Sequence, residues 1–174
     1  ALLLAQELKA AADDLKVTGK PDSAEVKRSM MQTGFPGYRE NDSVAGYVSR
    51  VTAALAENDR ATAQTEFHRL VKFANFEQGR AAAYEAAKDQ MAKDPDSKRI
   101  ELDGYYQLNE YGKLDKTKPQ FVDKKALGLV KTVRSDADAI QKMVTLLAKR
   151  TGLKAVEAAP TKAPVAVSKP APTK

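Results

Sequence analysis

The chain contains no cysteine and a single histidine among its 174 residues. The absence of cysteine excludes disulfide bonds, thiol catalysis, iron–sulfur clusters and zinc sites built on thiolates. The one histidine, His68, has no second histidine with which to hold a metal ion, and a Ser-His-Asp triad has little support. These gaps disfavour most classes of enzyme, and we predict a protein without catalytic residues, cofactor or metal.

Long apolar runs are absent too, and none approaches the ~20 residues that a membrane span requires. The opening residues 1–5 are apolar but are followed at once by Gln6 and Glu7, so we interpret them as the start of an amphipathic helix rather than as a signal peptide. No phosphate-binding loop and no calcium loop of EF-hand spacing occurs. With 43% hydrophobic and 30% charged residues, the composition is typical of a soluble globular protein.

Proline divides the chain into two regions. Four of the eight prolines lie at or after Pro160, among Ala, Val, Thr and Lys and without an aromatic residue. Such a stretch buries too little apolar surface to offset its ordering entropy. We therefore predict a helical domain over residues 1–151 and a disordered Ala/Pro/Lys-rich tail over 152–174. The tail has four lysines against one glutamate, which is half of the net charge of +6.

The intervals without proline are rich in helix formers and show no alternating strand pattern of useful length. Helices are predicted over about 2–15, 43–57 and 60–93, with a break considered at 77–79. Asp22 and Glu25 suggest a cap pair for a short helix ending near Gly34. The strongest signal is a heptad seam in the last helix, formed by Ala126, Val130, Val133, Ala137, Ile140, Val144 and Leu147.

Two short segments leave alternatives open. The last helix begins either with a capping box of Thr117 and Gln120 or with Pro119 at its first position. The segment from Asp96 or Ser97 to Gly112 is either a short helix or an ordered loop. Nothing recurs at the 34-residue period of a helical solenoid. We predict an all-α fold, namely an antiparallel up-down four-helix bundle with one or two short extra helices.

Three tyrosines lie close together beside two lysines, and they support two interpretations. The five residues are Tyr105, Tyr106, Tyr111, Lys113 and Lys116. The tyrosines either seal one end of the bundle or form, with the lysines, an exposed docking patch, because tyrosine is favoured among interface anchors. Specific nucleic-acid binding is not expected, since no basic stripe or known module is present.

The segment 33–42 combines turn formers with aromatic and charged residues just before a helix. Loops held by a rigid bundle often carry binding residues. We therefore predict a protruding recognition surface formed by Phe35, Tyr38, Arg39 and Glu40.

The same segment resembles the assembly and repair lipoprotein family of photosystem II, in which a Thr-Gly, Tyr-Arg-Glu-Asp type stretch introduces a Val-rich helix face. The matching residues here are Thr33, Gly34, Tyr38, Arg39, Glu40, Asp42, Val44, Val48 and Val51. In its general character, a basic and cysteine-free helical bundle with Tyr-rich stretches, the chain is also similar to PsbQ-type extrinsic subunits. The resemblance implies a lumenal accessory subunit that docks on the photosystem II core, with Tyr38, Arg39 and Glu40 as docking residues by position.

Together these observations predict a non-enzymatic extrinsic subunit that docks through basic and aromatic groups on a larger membrane complex, with photosystem II core subunits as partners and the thylakoid lumen as location. Electrostatic complementarity would steer the encounter. The alternative is a secreted or periplasmic helical adhesin or scaffold whose basic tail binds an anionic polymer or membrane. Tail contacts with phosphates or lipids would be weak and salt-sensitive.

Overall fold

The structure is a computed structural model that describes residues 6, 7, 9, 10, 24–35, 39 and 43–155. In chain order its elements are α1 (Ala24–Gly34), α2 (Val44–Ala56), α3 (Arg60–Lys93), β1 (Arg99–Leu108), β2 (Leu114–Asp123), α4 (Lys124–Leu127) and α5 (Val130–Thr151). The strands β1 and β2 form a two-stranded antiparallel sheet. The predicted all-α four-helix bundle is therefore wrong, although helices still make up most of the described chain.

Some predictions lie partly outside the described residues. Of the helix expected over about 2–15, only Gln6, Glu7, Lys9 and Ala10 are described, and all four are helical. Glu7 forms an ion pair with Arg150 of α5. Asp22, the expected cap of α1, and the tail from residue 156 onward are outside the described residues.

The β-hairpin replaces the segment for which a short helix or a loop was predicted. In β1, Ile100 and Leu102 point into the core, while Arg99, Glu101 and Asp103 alternate with them and are exposed. The alternation then breaks at a bulge around Gly104, whose φ is 88°. Because the regular pattern is so short, the strand was missed in the sequence.

The second strand was mistaken for the beginning of the last helix. Pro119 lies in β2 opposite Tyr106. Proline is tolerated there because each strand of a two-stranded sheet has an edge that needs no ladder hydrogen bonds. The helical turn α4 starts only after Asp123, whose carboxylate accepts from the backbone N–H of Ala126 at 2.9 Å. Neither Thr117 nor Pro119 starts the helix.

The predictions for α2 and α3 are confirmed in position and length. Ser43 caps α2, because its Oγ accepts from the Gly46 N–H at 3.0 Å. Asp59 caps α3 by accepting from the Thr62 N–H at 3.1 Å, after a tight turn in which Asn58 has a φ of 61°. The break considered at 77–79 does not occur, and α3 runs as one helix of 34 residues.

The heptad seam is confirmed as a buried stripe, since all seven of its residues lie in the core. A turn at Gly128 separates α4 from α5, so the predicted rod is in two parts. The second part ends at Gly152, which adopts a φ of 75°. Beyond it Leu153 is buried, and the backbone of Lys154 exchanges two hydrogen bonds with the Gln64 side chain at 2.9 and 3.0 Å.

A buried polar cluster lies where α3 meets the base of the hairpin. Arg80 Nε donates to Glu77 Oε1 at 3.1 Å, and both side chains are almost fully buried. The Arg80 guanidinium lies 5.7 Å from the centre of the Tyr84 ring. Burial raises the pKa of the neighbouring Tyr105 hydroxyl well above its ordinary range. Buried charges require partners, and here the two charges, both on α3, are partners of each other beside Tyr105 of β1.

We expect the substitution Arg80→Met to lower the free energy of unfolding by about 3 kcal/mol, because it leaves the Glu77 carboxylate buried without its partner. The double variant with Glu77→Leu should lose less than Arg80→Met alone. Urea denaturation measures both. The control Lys118→Met breaks an exposed ion pair with Asp115 and should change stability by less than about 0.5 kcal/mol. A double variant less stable than the single one would contradict this role.

Candidate binding surface

Phe35, predicted to protrude, is instead buried, with 1% of its surface exposed. Its ring stacks on Phe73 and Phe76 at centroid distances of 5.9 and 6.5 Å, and the Arg69 guanidinium lies 5.5 Å from its centre. The aromatic ring at the end of α1 is more stable in the apolar contact with α3 than in water. The prediction of Phe35 as a docking residue is therefore wrong.

Arg39 is exposed, but it also has a structural contact. Its Nη2 lies 4.0 Å from Glu66 Oε1, the atom to which Arg50 Nε donates at 2.8 Å. Arg39 thereby links the segment before α2 to α3. The other two predicted residues of this segment, Tyr38 and Glu40, lie outside the described residues.

The predicted tyrosine cluster is divided between the core and the surface. Tyr105 is buried, with 1% exposed, so its prediction as a docking residue is wrong and the sealing interpretation holds for it. Tyr106 is half-buried, and Tyr111 is 77% exposed. Lys113 and Lys116 are also exposed. The docking interpretation stays open for these four residues only.

The two predicted patches approach each other at their buried ends. A Cβ atom added to Gly34 would lie 3.0 Å from Phe76 Cδ1 and 3.8 Å from Tyr105 Cε1. Glycine at the end of α1 therefore allows Phe76 of α3 to pack closely there, with Tyr105 of β1 in ordinary contact beside it.

The outer half of the hairpin, residues 106–119, extends beyond the core, and we call it the arm. None of its residues is buried. The residues flanking it, Tyr105 and Gln120, are buried, and Gln120 Oε1 accepts from Ser29 Oγ of α1 at 2.7 Å. The arm is therefore a projection held by an anchored base.

Hydrogen bonds order the turn at the tip of the arm. Asn109 Oδ1 accepts from the backbone N–H groups of Tyr111 at 2.8 Å and Lys113 at 3.0 Å. The Asn109 N–H donates to the Lys113 carbonyl at 2.7 Å, and Gly112 has a φ of 74°. An asparagine that bonds to the backbone two residues later is a frequent turn former. The exposed ring of Tyr111 is thus attached to a defined backbone.

A second set of hydrogen bonds orders β2 within the arm. Asp115 Oδ1 accepts from the Thr117 N–H at 2.9 Å and from Thr117 Oγ1 at 2.5 Å, and Lys118 Nζ lies 3.9 Å from Asp115 Oδ2. The hydrogen bond from the Thr117 hydroxyl lowers the pKa of the Asp115 carboxyl. Gln107 Nε2 donates to the Pro119 carbonyl at 2.7 Å. The contacts of Asp115 lie within β2, and the bond of Gln107 joins β1 to β2.

The arm carries three exposed lysines, namely Lys113, Lys116 and Lys118. Its acidic residues are Glu110 and Asp115, and Asp115 is engaged by Thr117 and Lys118. Tyr111 is the strongly exposed large hydrophobic residue in the part of the chain that the structure describes. An exposed aromatic ring with lysines beside it is a suitable combination for binding an acidic surface.

The described residues give no metal-binding arrangement. Among them, no three His, Asp or Glu side chains are grouped as a metal site requires. His68 is half-buried on α3. Within the described ranges no helix has the length and apolarity that crossing a bilayer demands.

No protein-family model, curated protein or solved structure matches this chain. The interpretation of the surface therefore depends on its own geometry.

Sequence reasoning named Tyr106, Tyr111, Lys113 and Lys116 of the arm but missed Lys118 and the Asn109 turn. The available signal was the stretch from Asn109 to Gly112 between two short apolar segments, which is typical of a hairpin. Assigning Pro119 to a helix start concealed that signal.

Phe35→Ala and Tyr111→Ala should have opposite consequences for stability. Removing the buried Phe35 ring should lower the free energy of unfolding by about 3 to 5 kcal/mol. Removing the exposed Tyr111 ring should change it by less than about 0.5 kcal/mol. Urea denaturation of the two variants measures this difference, and equal effects would show that the assignment of one residue to the core and one to the surface is incorrect.

Thr117→Val should raise the pKa of Asp115 toward its ordinary value of about 3.9 by removing the hydroxyl donor. Because the folded-state pKa is lowered, the stabilisation by this contact is present above the unfolded-state value and is lost as pH falls through the folded-state value. An NMR titration of the carboxyl measures the pKa. Thr145→Val on α5 is the control and should leave it unchanged, whereas no shift in Thr117→Val would contradict the cause.

Proposed function

We propose that this protein is a non-enzymatic accessory subunit that docks through its arm on an acidic surface of a larger assembly. The single observation that supports this most is the arm itself. It projects from an anchored base without a buried residue of its own, and it presents Tyr111 among lysines on an ordered turn.

The hydrogen-bonded backbone of the arm favours binding, because a group that is already held in position loses little conformational freedom on association. A tyrosine ring buries roughly 150–250 Å² when it is enclosed by a partner, and its hydroxyl retains the ability to form a hydrogen bond. Lysines around it accelerate the encounter with a negative surface more than they strengthen the final complex. Tyr111 is the proposed anchor, and Lys113, Lys116 and Lys118 are the proposed steering charges.

The partner to test first is the lumenal side of the photosystem II core, with the thylakoid lumen as the location. The support for this choice is the resemblance of residues 33–51 to the photosystem II assembly lipoproteins, together with the basic character of the chain. The hairpin is a departure from the helical bundle that this resemblance implies. The docking role of the arm depends on its geometry and is separate from this choice of partner.

We expect the full chain to bind salt-washed photosystem II membranes in a co-sedimentation assay, and to bind less as ionic strength rises. Tyr111→Ala should weaken binding at least about tenfold, since aromatic anchors dominate such interfaces. Lys113→Glu with Lys116→Glu should weaken it further at low salt. Binding that increases with salt, or that is unaffected by all three substitutions, would contradict docking by the arm.

Two controls separate the arm from the rest of the molecule. Lys131→Glu with Lys149→Glu makes the same change in charge on the exposed side of α5 and should leave binding within about threefold, as for charges outside an interface. A chain ending at Ala155 keeps the buried Leu153 and the Lys154 contacts with Gln64. This shortened chain should still bind. Its failure would favour the alternative in which the basic tail binds an anionic polymer or membrane.

A further inference from the structure

One edge of β1 pairs with β2, and the other edge is open in the part of the chain that the structure describes. A groove with a volume of about 570 Å³ runs along this open edge. One wall is β1, and the other is a face of α3. No residue of β2 lines it, which places the groove on the unpaired side of β1; the lining is Ala82, Ala83, Ala86, Ala87 and Gln90 of α3 with Arg99, Ile100, Glu101 and Asp103 of β1.

The geometry of this edge suits a further strand. In an antiparallel pair, alternate residues direct their N–H and C=O groups away from the partner strand. An open edge of this kind is a template for pairing with another chain unless it is covered or blocked. The alanines of α3 leave room beside it, so a second backbone can approach β1 from the groove.

The charges on β1 indicate what the second strand is. Arg99, Glu101 and Asp103 lie on the outer face of the sheet and are exposed, while Ile100 and Leu102 face the core. The Arg99 guanidinium lies 4.3 Å from the centre of the Phe121 ring on that same outer face. Neither Glu101 nor Asp103 has an ion pair with another described side chain. One cation and two free anions lie on the same strand, so the charges of β1 are complementary to those of β1 in a second copy of the chain.

We propose that the open edge of β1 is a homodimer interface, in which the β1 strands of two copies pair antiparallel about a two-fold axis at Ile100. Each Arg99 then lies opposite the partner's Glu101, and the two Ile100 residues lie opposite each other on the core side. The result is a continuous four-stranded sheet with the order β2-β1-β1-β2. A two-fold contact of this type closes on itself and leaves no further edge of β1 exposed.

Charge selects this register over the neighbouring ones that keep the same faces together. A shift by two residues in one direction places Arg99 opposite the partner's Asp103 but brings the two Glu101 side chains together. A further shift in that direction places Glu101 opposite the partner's Asp103 and removes the attraction. Like charges directly opposite each other destabilise a strand pair. Only the register centred on Ile100 gives two attractions without a repulsion.

The helices are compatible with this arrangement. The proposed axis is perpendicular to the sheet, so α3 of both copies lies on the same side of it. The alanines that line the groove then face the corresponding alanines of the partner. Small side chains allow two helices to approach closely, and Ala82 and Ala86 are exposed in the single chain.

Sedimentation of the full chain over micromolar to millimolar concentrations tests the proposal, and the expected result is a reversible monomer–dimer equilibrium. Arg99→Glu and Glu101→Arg should each raise the dissociation constant by about tenfold or more, because each opposes like charges twice. The double variant should return it to within about threefold of the original value. Lys131→Glu, on α5 and outside the groove, is the control for charge and should have no effect.

Mixing the two single variants gives the sharpest result. In a heterodimer of Arg99→Glu with Glu101→Arg, both cross-strand pairs are again opposite in charge, so the mixture should dimerise more tightly than either variant alone. Circular dichroism confirms that each variant is folded. A chain that stays monomeric at all concentrations overturns the proposal, as does a mixture that dimerises no better than its components. Restoration instead by Arg99→Glu with Asp103→Arg would also overturn the register centred on Ile100.

Discussion

Burial around almost the whole circumference of the middle of α3, residues 70–81, is the constraint on which the rest of the structure depends. Its buried residues include both the apolar Phe67, Leu70 and Tyr84 and the charged Glu77 and Arg80. Every other helix defined above packs against it, and so does β1. A helical segment that is enclosed in this way has no polar face in water, so its charged residues need partners within the protein, and Glu77 and Arg80 are partners of each other. The hairpin covers the same part of α3, where Tyr105 of β1 is buried beside this pair.

The predictable part of the fold is the part in which local pattern and tertiary packing agree. The seam of the last helix is a local feature, and the structure buries all seven of its residues, as the sequence predicts. The hairpin was not predictable by the same reasoning, because the bulge at Gly104 interrupts the alternation and Pro119 has the features of a helix start. In such a segment the long-range contact with α3 decides between helix and strand.

The candidate surface was predicted only in part, for a related reason. Aromatic residues near glycine and charge are typical both of core edges and of binding surfaces, and Phe35 and Tyr105 belong to the former while Tyr111 belongs to the latter. Distance along the chain does not distinguish them, since Tyr105 and Tyr106 are adjacent and differ in burial. Their burial differs because β1 leaves the surface of the helices between Tyr105 and Tyr106. Tertiary packing determines that point. The ion pair of Glu77 with Arg80 was likewise invisible until its burial was known.

After α5 the chain returns to α3, and this contact distinguishes one end of α3 from the other. Leu153 is buried, and Lys154 is bonded to Gln64 near the beginning of α3, whereas the groove is lined by residues of α3 from Ala82 to Gln90. Along a helix these positions are roughly 30 Å apart. A group joined to the polypeptide after residue 155 therefore starts from the end of α3 that lies away from the groove. A fluorophore, an affinity handle or a surface tether placed at residue 155 therefore starts far from the open edge of β1 and leaves that edge unobstructed.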